Sequence, residues 1–274
     1  MKNKRIAVIM SLYRNDVVDY VKLSVESILN QTYKDMDFYI QYDGPIREDV
    51  DAYLSELKDD RIKIQRRAEN KGLAQSLNDL LSIVVTQKYK YIARMDADDI
   101  SVLDRFYSQI TYLESHPDID MVGGAINEID EKGNDRGKIV SYPCLPEDCR
   151  AFFAKRNPVA HPSVMFRRSF FDKTCWKYPI DFERNEDTRL WHEGYKNGAV
   201  IANIPDVVLN FRITENMFKN RRNGRKFAKS QLELRKMIKS ELGYGFSATV
   251  YAYAMYYLMI SPNWILKLAY KILR

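Results

Sequence analysis

Cysteine is scarce in this chain of 274 residues. The three copies, Cys144, Cys149 and Cys175, form no C-x-x-C pair and leave an odd thiol in any disulfide scheme. This usage indicates a reducing compartment, and the cytoplasm is the expected one. Neither the cysteines nor the histidines His116 and His192 have the spacing of a zinc site.

Long apolar runs are absent as well. The longest apolar stretch, Phe246 to Ile260, is shorter than the roughly 20 residues that a membrane span needs, and Pro262 follows it. The apolar run at residues 6–10 is too short for a signal peptide and is followed by Arg14 and Asp16. We therefore expect neither a membrane-spanning helix nor an export signal.

Glycine is missing from the turn after the first predicted strand. Residues 11–16 contain none, so this turn offers neither a dinucleotide-binding fingerprint nor a phosphate-binding P-loop. The absence argues against NAD-dependent enzymes and ATP hydrolases. It also argues against sugar-nucleotide nucleotidyltransferases, an alternative enzyme class that needs a glycine-rich triphosphate loop near its first strand.

Acidic residues are nearly missing from the C-terminal part. The chain carries a net charge of +6, but from Asn216 onward 12 Lys or Arg residues stand against two acids, so the preceding body is mildly acidic. A basic chain can bind nucleic acid. Because the positive charge is confined to an apolar-rich tail, we expect no nucleic-acid binding.

The first part of the chain alternates between strand and helix patterns. Short apolar runs predict strands at residues 6–12, 38–42, 61–65 and 89–95, and apolar residues three or four apart predict helices at 18–29 and 74–85. This alternation is typical of an α/β fold with a mainly parallel sheet flanked by helices. Ligands of such sheets bind beyond the carboxyl ends of the strands. After Asp99 the pattern is mixed, with helices near 103–115 and 186–197 and a strand near 121–124.

Asp96-Ala97-Asp98-Asp99 directly follows one of these strands. Three carboxylates in four residues repel one another unless a cation neutralises them. Oxygen ligands of this kind suit Mg²⁺ or Mn²⁺, which characteristically join a carboxylate to substrate phosphates. The alternative is a turn whose aspartates cap a helix beginning near Val102.

The order of several short segments resembles the family 2 glycosyltransferases with the GT-A fold, in particular members that build bacterial surface polysaccharides. The N-terminal segments are Ile6 to Tyr13, Gln31-Thr32-Tyr33, Asp43-Gly44, Asn70-Lys71-Gly72-Leu73 and the strand that ends in D-x-D. The later ones are Arg156-Asn157-Pro158 with His161-Pro162, Glu186-Asp187 with Leu190-Trp191, and Phe211-Arg212 through Arg221-Arg222. The similarity covers roughly residues 4 to 225.

The resemblance implies a Rossmann-like GT-A domain in two halves with a helical extension. Residues 1–100 would bind a nucleotide-sugar donor, residues 101–215 would bind the acceptor and carry the catalytic base, and residues 216–274 would form a basic, amphipathic helical tail.

The same resemblance assigns roles to donor-side residues. Asp43 would face the uracil or ribose, Asp96 the ribose, and Asp98 a Mn²⁺ or Mg²⁺ ion between the two phosphates, with Asp99 as a further candidate. Lys71 would help to hold the nucleotide. Relatives often have two adjacent acids at the second strand end, whereas Tyr42 precedes Asp43 here.

On the acceptor side, the resemblance makes Asp187 the general base, with Glu186 as a neighbour. Without it, two acids in the first turn of a helix would simply complement the helix dipole. His161 precedes an apolar segment on the acceptor side, where a single imidazole is more often structural than catalytic.

Three arginines are candidates for stabilising the charge of the leaving diphosphate. They are Arg212, Arg221 and Arg222, and the alternative is an ordinary solvated charge run. Many relatives have a histidine where Thr214 stands in this chain.

The tail combines apolar faces with positive charge. Helix patterns at Arg225 to Leu242 and Phe246 to Ile260 are followed by an apolar segment at 264–274, with no acid after Glu241. Such a composition fits an interfacial helix on an anionic leaflet. The alternatives are a lid packed on the catalytic domain and a contact with a second subunit in a homodimer.

We therefore expect an inverting, metal-dependent glycosyltransferase that moves a hexose or N-acetylhexosamine, from a UDP-sugar, to a lipid-linked glycan at the inner face of the cytoplasmic membrane. The chain lacks the Q-x-x-R-W motif of processive synthases, so it should add one sugar per encounter. A non-enzymatic alternative is a membrane-surface protein that binds nucleotide-sugars without turnover.

Overall fold

A computed structural model describes residues 5–175, 177–180, 185–214 and 225–262. Outside these ranges lie two of the arginines predicted to stabilise the leaving diphosphate, Arg221 and Arg222, and the apolar segment at 264–274.

Strands and helices alternate along the described chain. The strands are β1 (Ile6–Leu12), β2 (Met36–Tyr42), β3 (Ile62–Arg66), β4 (Tyr91–Arg94), β5 (Ile100–Ser101), β6 (Met121–Ile129), β7 (Asp135–Val140), β8 (Met165–Arg167) and β9 (Ile201–Arg212). The helices are α1 (Val18–Leu29), α2 (Glu48–Glu56), α3 (Leu73–Val84), α4 (Arg105–Ser115), α5 (Pro146–Phe153), α6 (Ser169–Lys173), α7 (Glu186–Lys196), α8 (Arg225–Leu242) and α9 (Phe246–Ile260).

The strands form one mixed sheet in the order β3-β2-β1-β4-β8-β6-β9-β5, with β7 paired to β6. The neighbours from β3 to β4 are parallel, and so are β6 and β9. Strand β8 is antiparallel to both β4 and β6, and so joins the two parallel parts. The predicted α/β fold with a mainly parallel sheet is confirmed.

Helices cover both faces of the sheet, which explains why its central strands are apolar without interruption. Val8 and Met10 of β1 share a core with residues of α1, α2 and α4. Ala7 and Ile9 point to the opposite face and share a second core with residues of α3, α7 and α8. The alternation of side chains along β1 therefore separates the two helical layers.

The chain after Asp99 departs from the predicted pattern. Strand β5 follows Asp99 directly and pairs with β9, and α4 begins only at Arg105. The interpretation of the aspartates as the cap of a helix near Val102 is therefore wrong. Strands β7 and β9 are additional to the predicted elements, and β6 extends to Ile129, beyond the predicted end at Gly124.

The two C-terminal helices form a hairpin on the α7 side of the molecule. Helix α8 buries Ala228, Leu234 and Ile238, and the last two belong to the core that contains α7. Helix α9 packs along α8 and buries Ala248 and Ala252. Within the described ranges, no helix is both long and apolar enough to cross a membrane.

Candidate active site

Three aspartates meet at the carboxyl end of β4. Oxygen atoms of Asp96, Asp98 and Asp99 all lie within 4.8 Å of one another. The chain turns here because β5 must reverse direction to pair with β9. The predicted acidic cluster is thus a compact group at the strand end, where ligands of parallel sheets bind.

Asp99 is the buried member of this cluster, since only 1% of its surface is exposed. Its Oδ1 accepts a hydrogen bond from the Arg212 amide at 2.8 Å, whereas its Oδ2 is buried and has no hydrogen-bond partner among the described residues. Burial raises the pKa of Asp99 well above its usual range, and the charges of Asp98 and Asp96 raise it further. A divalent cation would supply the partner and the charge that this cluster lacks.

Arg94, the last residue of β4, is a buried charge that the sequence analysis missed. It is 2% exposed and forms an ion pair with Asp96. Burial opposes its charge, but the attraction of Asp96 and other neighbours prevails and raises the pKa of Arg94. Arg105 of α4 supports it by donating a hydrogen bond to the Arg94 carbonyl at 2.9 Å.

Arg212 fixes the acidic loop through its backbone and side chain. Its Nε donates to the carbonyl of Asp98 at 2.8 Å, and its Nη1 donates to the carbonyls of Asp130 and Glu131 at 3.0 Å each. Its guanidinium carbon lies 4.2 Å from the centre of the Tyr20 ring. The Arg212 side chain therefore joins the acidic loop to the turn after β6 and to α1.

The segment Gln31-Thr32-Tyr33 holds the chain that follows the acidic cluster. The Gln31 amide nitrogen donates to the carbonyl of Val102 at 2.6 Å, and its oxygen accepts from the amide of Phe106 at 3.1 Å. The family resemblance includes this segment but implies no role for it. The structure shows that it ties the end of α1 to the start of α4.

Asp43 ends up at the same edge of the sheet, directly after β2. One carboxylate oxygen accepts from the Lys71 amide at 2.7 Å and from Arg67, and the other accepts from the Gly72 amide at 2.9 Å. The side chain of Lys71 is exposed, so the amide of this residue makes the contact with Asp43. Arg67 is a further residue that the sequence analysis missed.

Gly44 is required by the turn after Asp43. Its φ is +79°, and a Cβ at this position would lie 2.6 Å from the backbone nitrogen of Asn70. The absence of a side chain lets the turn after β2 approach the loop that carries Lys71 and Gly72.

Asp187 lies in the first turn of α7 and is held on both oxygens. Its Oδ2 accepts from the Asn157 side chain at 2.9 Å, and its Oδ1 accepts from the Thr188 amide at 2.6 Å. Burial raises the pKa of Asp187 despite the hydrogen bonds from Thr188. Burial, and then the charge of Asp187, raises the pKa of Glu186 to about 7.

His161 lies in a short 3-10 helix just before β8. Its Nε2 is 3.0 Å from the hydroxyl of Tyr178, and its ring meets the edge of Trp191. Burial lowers the pKa of His161 well below its usual range, and the charge of Arg94 acts in the same direction. A neutral imidazole with a hydrogen-bond partner in an aromatic cluster matches the structural interpretation of this residue.

The two groups of carboxylates surround one buried cation. The charge of Arg94 lowers the pKa of Asp99, of Glu186 and of Asp187, opposing the effect of burial at each. An acidic corner that could hold a cation and a carboxylate that could accept a proton therefore both interact with Arg94.

This geometry agrees with the comparison to known protein families. The family described as "Glycosyl transferase family 2" matches residues 7–175. The chain belongs to glycosyltransferase family 2.

Characterised relatives resemble this glycosyltransferase over most of its length. It is 31% identical over 230 residues to the amylovoran biosynthesis glycosyltransferase AmsE of Erwinia amylovora, which covers 83% of each chain. It is 24% identical over 234 residues to a UDP-Gal:alpha-D-GlcNAc-diphosphoundecaprenol beta-1,3-galactosyltransferase of Escherichia coli, covering 84% of this chain and 81% of the relative.

Solved structures share the fold of this glycosyltransferase. Residues 1–349 of S. aureus TarS in complex with UDP-GlcNAc superpose with a TM-score of 0.66 at 12% identity, covering 88% of this chain and 71% of that one. The mannosyltransferase PcManGT of Pyrobaculum calidifontis, in complex with GDP-Man and Mn²⁺, gives a TM-score of 0.61 at 15% identity, covering 91% and 73%. These neighbours are GT-A glycosyltransferases.

Proposed function

We propose that this protein transfers a hexose or N-acetylhexosamine from a UDP-sugar to a lipid-linked glycan, with inversion at the anomeric carbon, during the synthesis of a bacterial surface polysaccharide. The observation that carries the proposal is an acidic corner that could hold a cation, together with a half-buried carboxylate, Asp187, both of which interact electrostatically with Arg94. The polysaccharide role is supported by the similarity to AmsE.

The acidic corner fits a divalent metal ion. Asp98 would be its principal ligand, with Asp96 and Asp99 beside it, and the partnerless Oδ2 of Asp99 is the feature that favours a cation here. When bound, Mn²⁺ or Mg²⁺ supplies positive charge that stabilises the diphosphate leaving group. The PcManGT complex, which contains Mn²⁺ and a sugar nucleotide, supports this assignment.

The nucleotide would bind along the carboxyl ends of β2, β1 and β4. Asp43 would contact the uracil or ribose, Asp96 the ribose, and Lys71 would direct its exposed ammonium group to the nucleotide. Arg212 holds the acidic loop in place, and Arg221 and Arg222 remain candidates for contact with the diphosphate. The TarS complex with UDP-GlcNAc supports a uridine donor.

Asp187 would act as the general base. Its carboxylate would accept the proton of an acceptor hydroxyl while the oxygen attacks the anomeric carbon and the nucleoside diphosphate leaves. A single displacement of this kind inverts configuration and needs no enzyme nucleophile. Asn157 would hold the base in place through the hydrogen bond to Oδ2, and Glu186 lies beside it.

The acceptor would reach this site from a membrane surface. The galactosyltransferase relative has a diphosphoundecaprenol compound in its name, which supports a lipid-linked acceptor. Helix α9 exposes a stripe of large apolar side chains at residues 246, 250, 253, 257 and 260, with Phe246 80% and Tyr257 64% exposed. We assign this stripe to the inner leaflet of the cytoplasmic membrane, with basic residues of α8 facing the anionic lipid headgroups.

The proposed roles divide along the chain. Residues 1–100 would bind the donor, residues 101–215 would bind the acceptor and supply the base, and the tail from residue 216 would bring the enzyme to the membrane. The glycosyltransferase would add one sugar per encounter.

Thermal unfolding in the presence of nucleotide-sugars tests the donor and metal assignments. UDP-glucose, UDP-galactose, UDP-GlcNAc and GDP-mannose are each added with and without Mn²⁺. A donor at about 100 times its Kd stabilises the protein by about 2.7 kcal/mol. We expect Mn²⁺ to enhance the shift of a UDP-sugar, Asp98→Asn to remove this enhancement, and the exposed Asp118→Asn to retain it. A protein that no nucleotide-sugar stabilises would contradict the proposal.

Vesicle sedimentation tests the membrane assignment. The full chain is mixed with phosphatidylglycerol vesicles or with phosphatidylcholine vesicles, and we expect binding to the anionic ones alone. Phe246→Ser combined with Tyr257→Ser should weaken this binding, while Ile139→Ser, which changes an exposed apolar residue of β7, should not. Equal vesicle binding by the unsubstituted protein, the double variant and Ile139→Ser would exclude the stripe as the membrane-binding surface. If the protein is a dimer that the double substitution dissociates, the stripe would instead contact a second subunit.

A further inference from the structure

Helix α8 contacts the start of α7, where the proposed base is located. The side-chain amide of Gln231 donates a hydrogen bond to the side chain of Asn185, the residue that immediately precedes α7. Asn185 in turn accepts the backbone hydrogen bond of Arg189 at 2.9 Å through its carbonyl. The first turn of α7, with Glu186 and Asp187, is therefore connected to α8.

Arg235 lies one helical turn after Gln231, on the same face of α8. Its Nη1 donates to the carbonyl of Phe153 at 2.9 Å, and its guanidinium lies against the ring of Phe153. The neighbouring core residues Leu234 and Ile238 are fully buried and anchor this part of the helix. Burial lowers the pKa of Arg235 to about 10, while the charge of Asp187 acts in the opposite direction.

We propose that α8 is a positioning element of the active site, in which Gln231 fixes the first turn of α7 through Asn185 and Arg235, anchored on the Phe153 carbonyl, places a positive charge near Asp187. The proposal rests on the assignment of Asp187 as the general base. It gives the tail a role in catalysis in addition to membrane attachment. Gln231 and Arg235 are positioning residues, because both would affect transfer through Asp187 and not through contact with the substrate.

The charges around Asp187 come from several elements. Glu186 is the neighbour of Asp187 on α7, where burial and then the charge of Asp187 raise the pKa of Glu186, and Tyr178, in the segment before α7, interacts electrostatically with both carboxylates. Arg94 on β4 and Arg235 on α8 are the two cations whose charges lower the pKa of Asp187. Arg94 is already paired with Asp96, so Arg235 is the cation whose removal leaves the acidic corner intact.

Arg235 is half-buried, whereas its neighbour Lys236 on α8 is exposed. The Arg235 guanidinium reaches the carbonyl of Phe153 in the interior. A charge in a desolvated position acts more strongly on a neighbouring carboxylate than a charge in water does. Lys236 is therefore a matched control, one residue away on the same helix.

The charge effect is measured in the full chain without substrate. The side-chain carboxyl carbon-13 signal of Asp187, identified by its loss in Asp187→Asn, is followed from acidic to mildly alkaline pH. We expect Arg235→Met to raise the pKa of Asp187 by about one unit. Arg235→Lys, which retains the charge, should restore most of the difference, and Lys236→Met should have no effect. Equal pKa values in Arg235→Met and the unsubstituted protein would overturn this part of the proposal.

The effect of Gln231 is measured by amide hydrogen exchange. Loss of one hydrogen bond worth about 1 kcal/mol should speed exchange in the first turn of α7 about five-fold in Gln231→Leu. Gln231→Asn and Lys236→Met serve as the conservative variant and the control. Faster exchange throughout the protein would indicate general destabilisation, and unchanged exchange at α7 would remove the positioning role of Gln231.

Transfer by Asp187→Asn separates this inference from the proposed function. If that variant retains full transfer, the base assignment fails whatever α8 does. If transfer is lost in Asp187→Asn while substitutions at Gln231 and Arg235 change neither the pKa of Asp187 nor exchange at α7, the base assignment stands and the role of α8 fails.

Discussion

The proposed donor side, residues 1–100, and the proposed acceptor side, residues 101–215, place their carboxylates by different means. Asp43 and the Asp96–Asp99 cluster directly follow β2 and β4, which flank β1 in the parallel part of the sheet. Asp187 lies on a helix and is held by Asn157, 30 positions away in the chain, and α8 packs against the same helix. Sheet topology brings the donor residues together, whereas packing between distant segments places the proposed base.

The contrast predicts where substitutions should affect activity and where they should affect stability. A carboxylate at a strand end is constrained by the backbone of the sheet, so its loss should weaken binding or folding locally. A base held by side chains from other segments depends on each of those contacts. Catalysis should therefore be most sensitive on the acceptor side.

The largest expected effect belongs to Asp187→Asn. Replacement of a general base lowers turnover by about 10³-fold, and the hydrogen bonds from Asn157 and Thr188 do not restore a proton acceptor. Transfer is measured by release of UDP in the presence of acceptor, and stabilisation by the donor should persist. The exposed Asp148→Asn is the control. Transfer at the original rate would show that the two sides do not divide the chemistry as proposed.

The next effect concerns the turn after Asp43, where Gly44→Ala and Gly72→Ala form a matched pair. Both glycines have a positive φ, +79° and +87°, but only at Gly44 would a new Cβ meet the backbone, at 2.6 Å from Asn70. We expect a loss of about 1 kcal/mol in the free energy of unfolding at Gly72 and about 3 kcal/mol at Gly44. Urea denaturation measures both. Equal losses in the free energy of unfolding would show that the close approach of the turn at Gly44 to the loop at Asn70 does not contribute to stability.

The smallest of the three effects is the pH dependence contributed by Glu186. Its pKa is about 7 in the folded protein against 4.5 as the ordinary value, so the folded state binds its proton more tightly. The free energy of unfolding should therefore fall as the pH rises between these values, by about 1–2 kcal/mol. Glu186→Gln should flatten this dependence, and the exposed Glu48→Gln should leave it unchanged. If the free energy of unfolding depends on pH equally in the unsubstituted protein, Glu186→Gln and Glu48→Gln, Glu186 lies in a more hydrated position than the structure indicates.

The sequence predicts the proposed donor side well because its central strands, β1, β2 and β4, are buried on both faces. Residues 6–12 read as a continuous apolar run and form β1, and the apolar spacing at 18–29 matches α1. By contrast, β9 contains Asn203 and Pro205 within its run, and β7 is largely exposed. Their polar residues obscure the hydrophobic pattern from which strands are predicted.

The site is less predictable because buried charges look like surface charges in a sequence. Arg94 lies within an apolar run predicted as a strand, and Arg235 lies among lysines on a helix with a basic face, so the sequence pattern reveals the partner of neither. Arg94 is buried and paired with Asp96, and Arg235 is half-buried and donates to the carbonyl of Phe153. Asn157 belongs to a recognisable segment, but its contact with Asp187 depends on the packing of α7 against the loop after α5.

The hydrogen bond between Asp99 and the Arg212 amide joins residues 113 positions apart. During synthesis on a ribosome, the aspartate emerges long before its partner, and the acidic corner is completed only when β9 has been made. A chain that stops before β9 would expose three adjacent like charges at the end of β4 without their restraint. The acidic corner thus reaches its full set of contacts only after the second half of the chain has been synthesised.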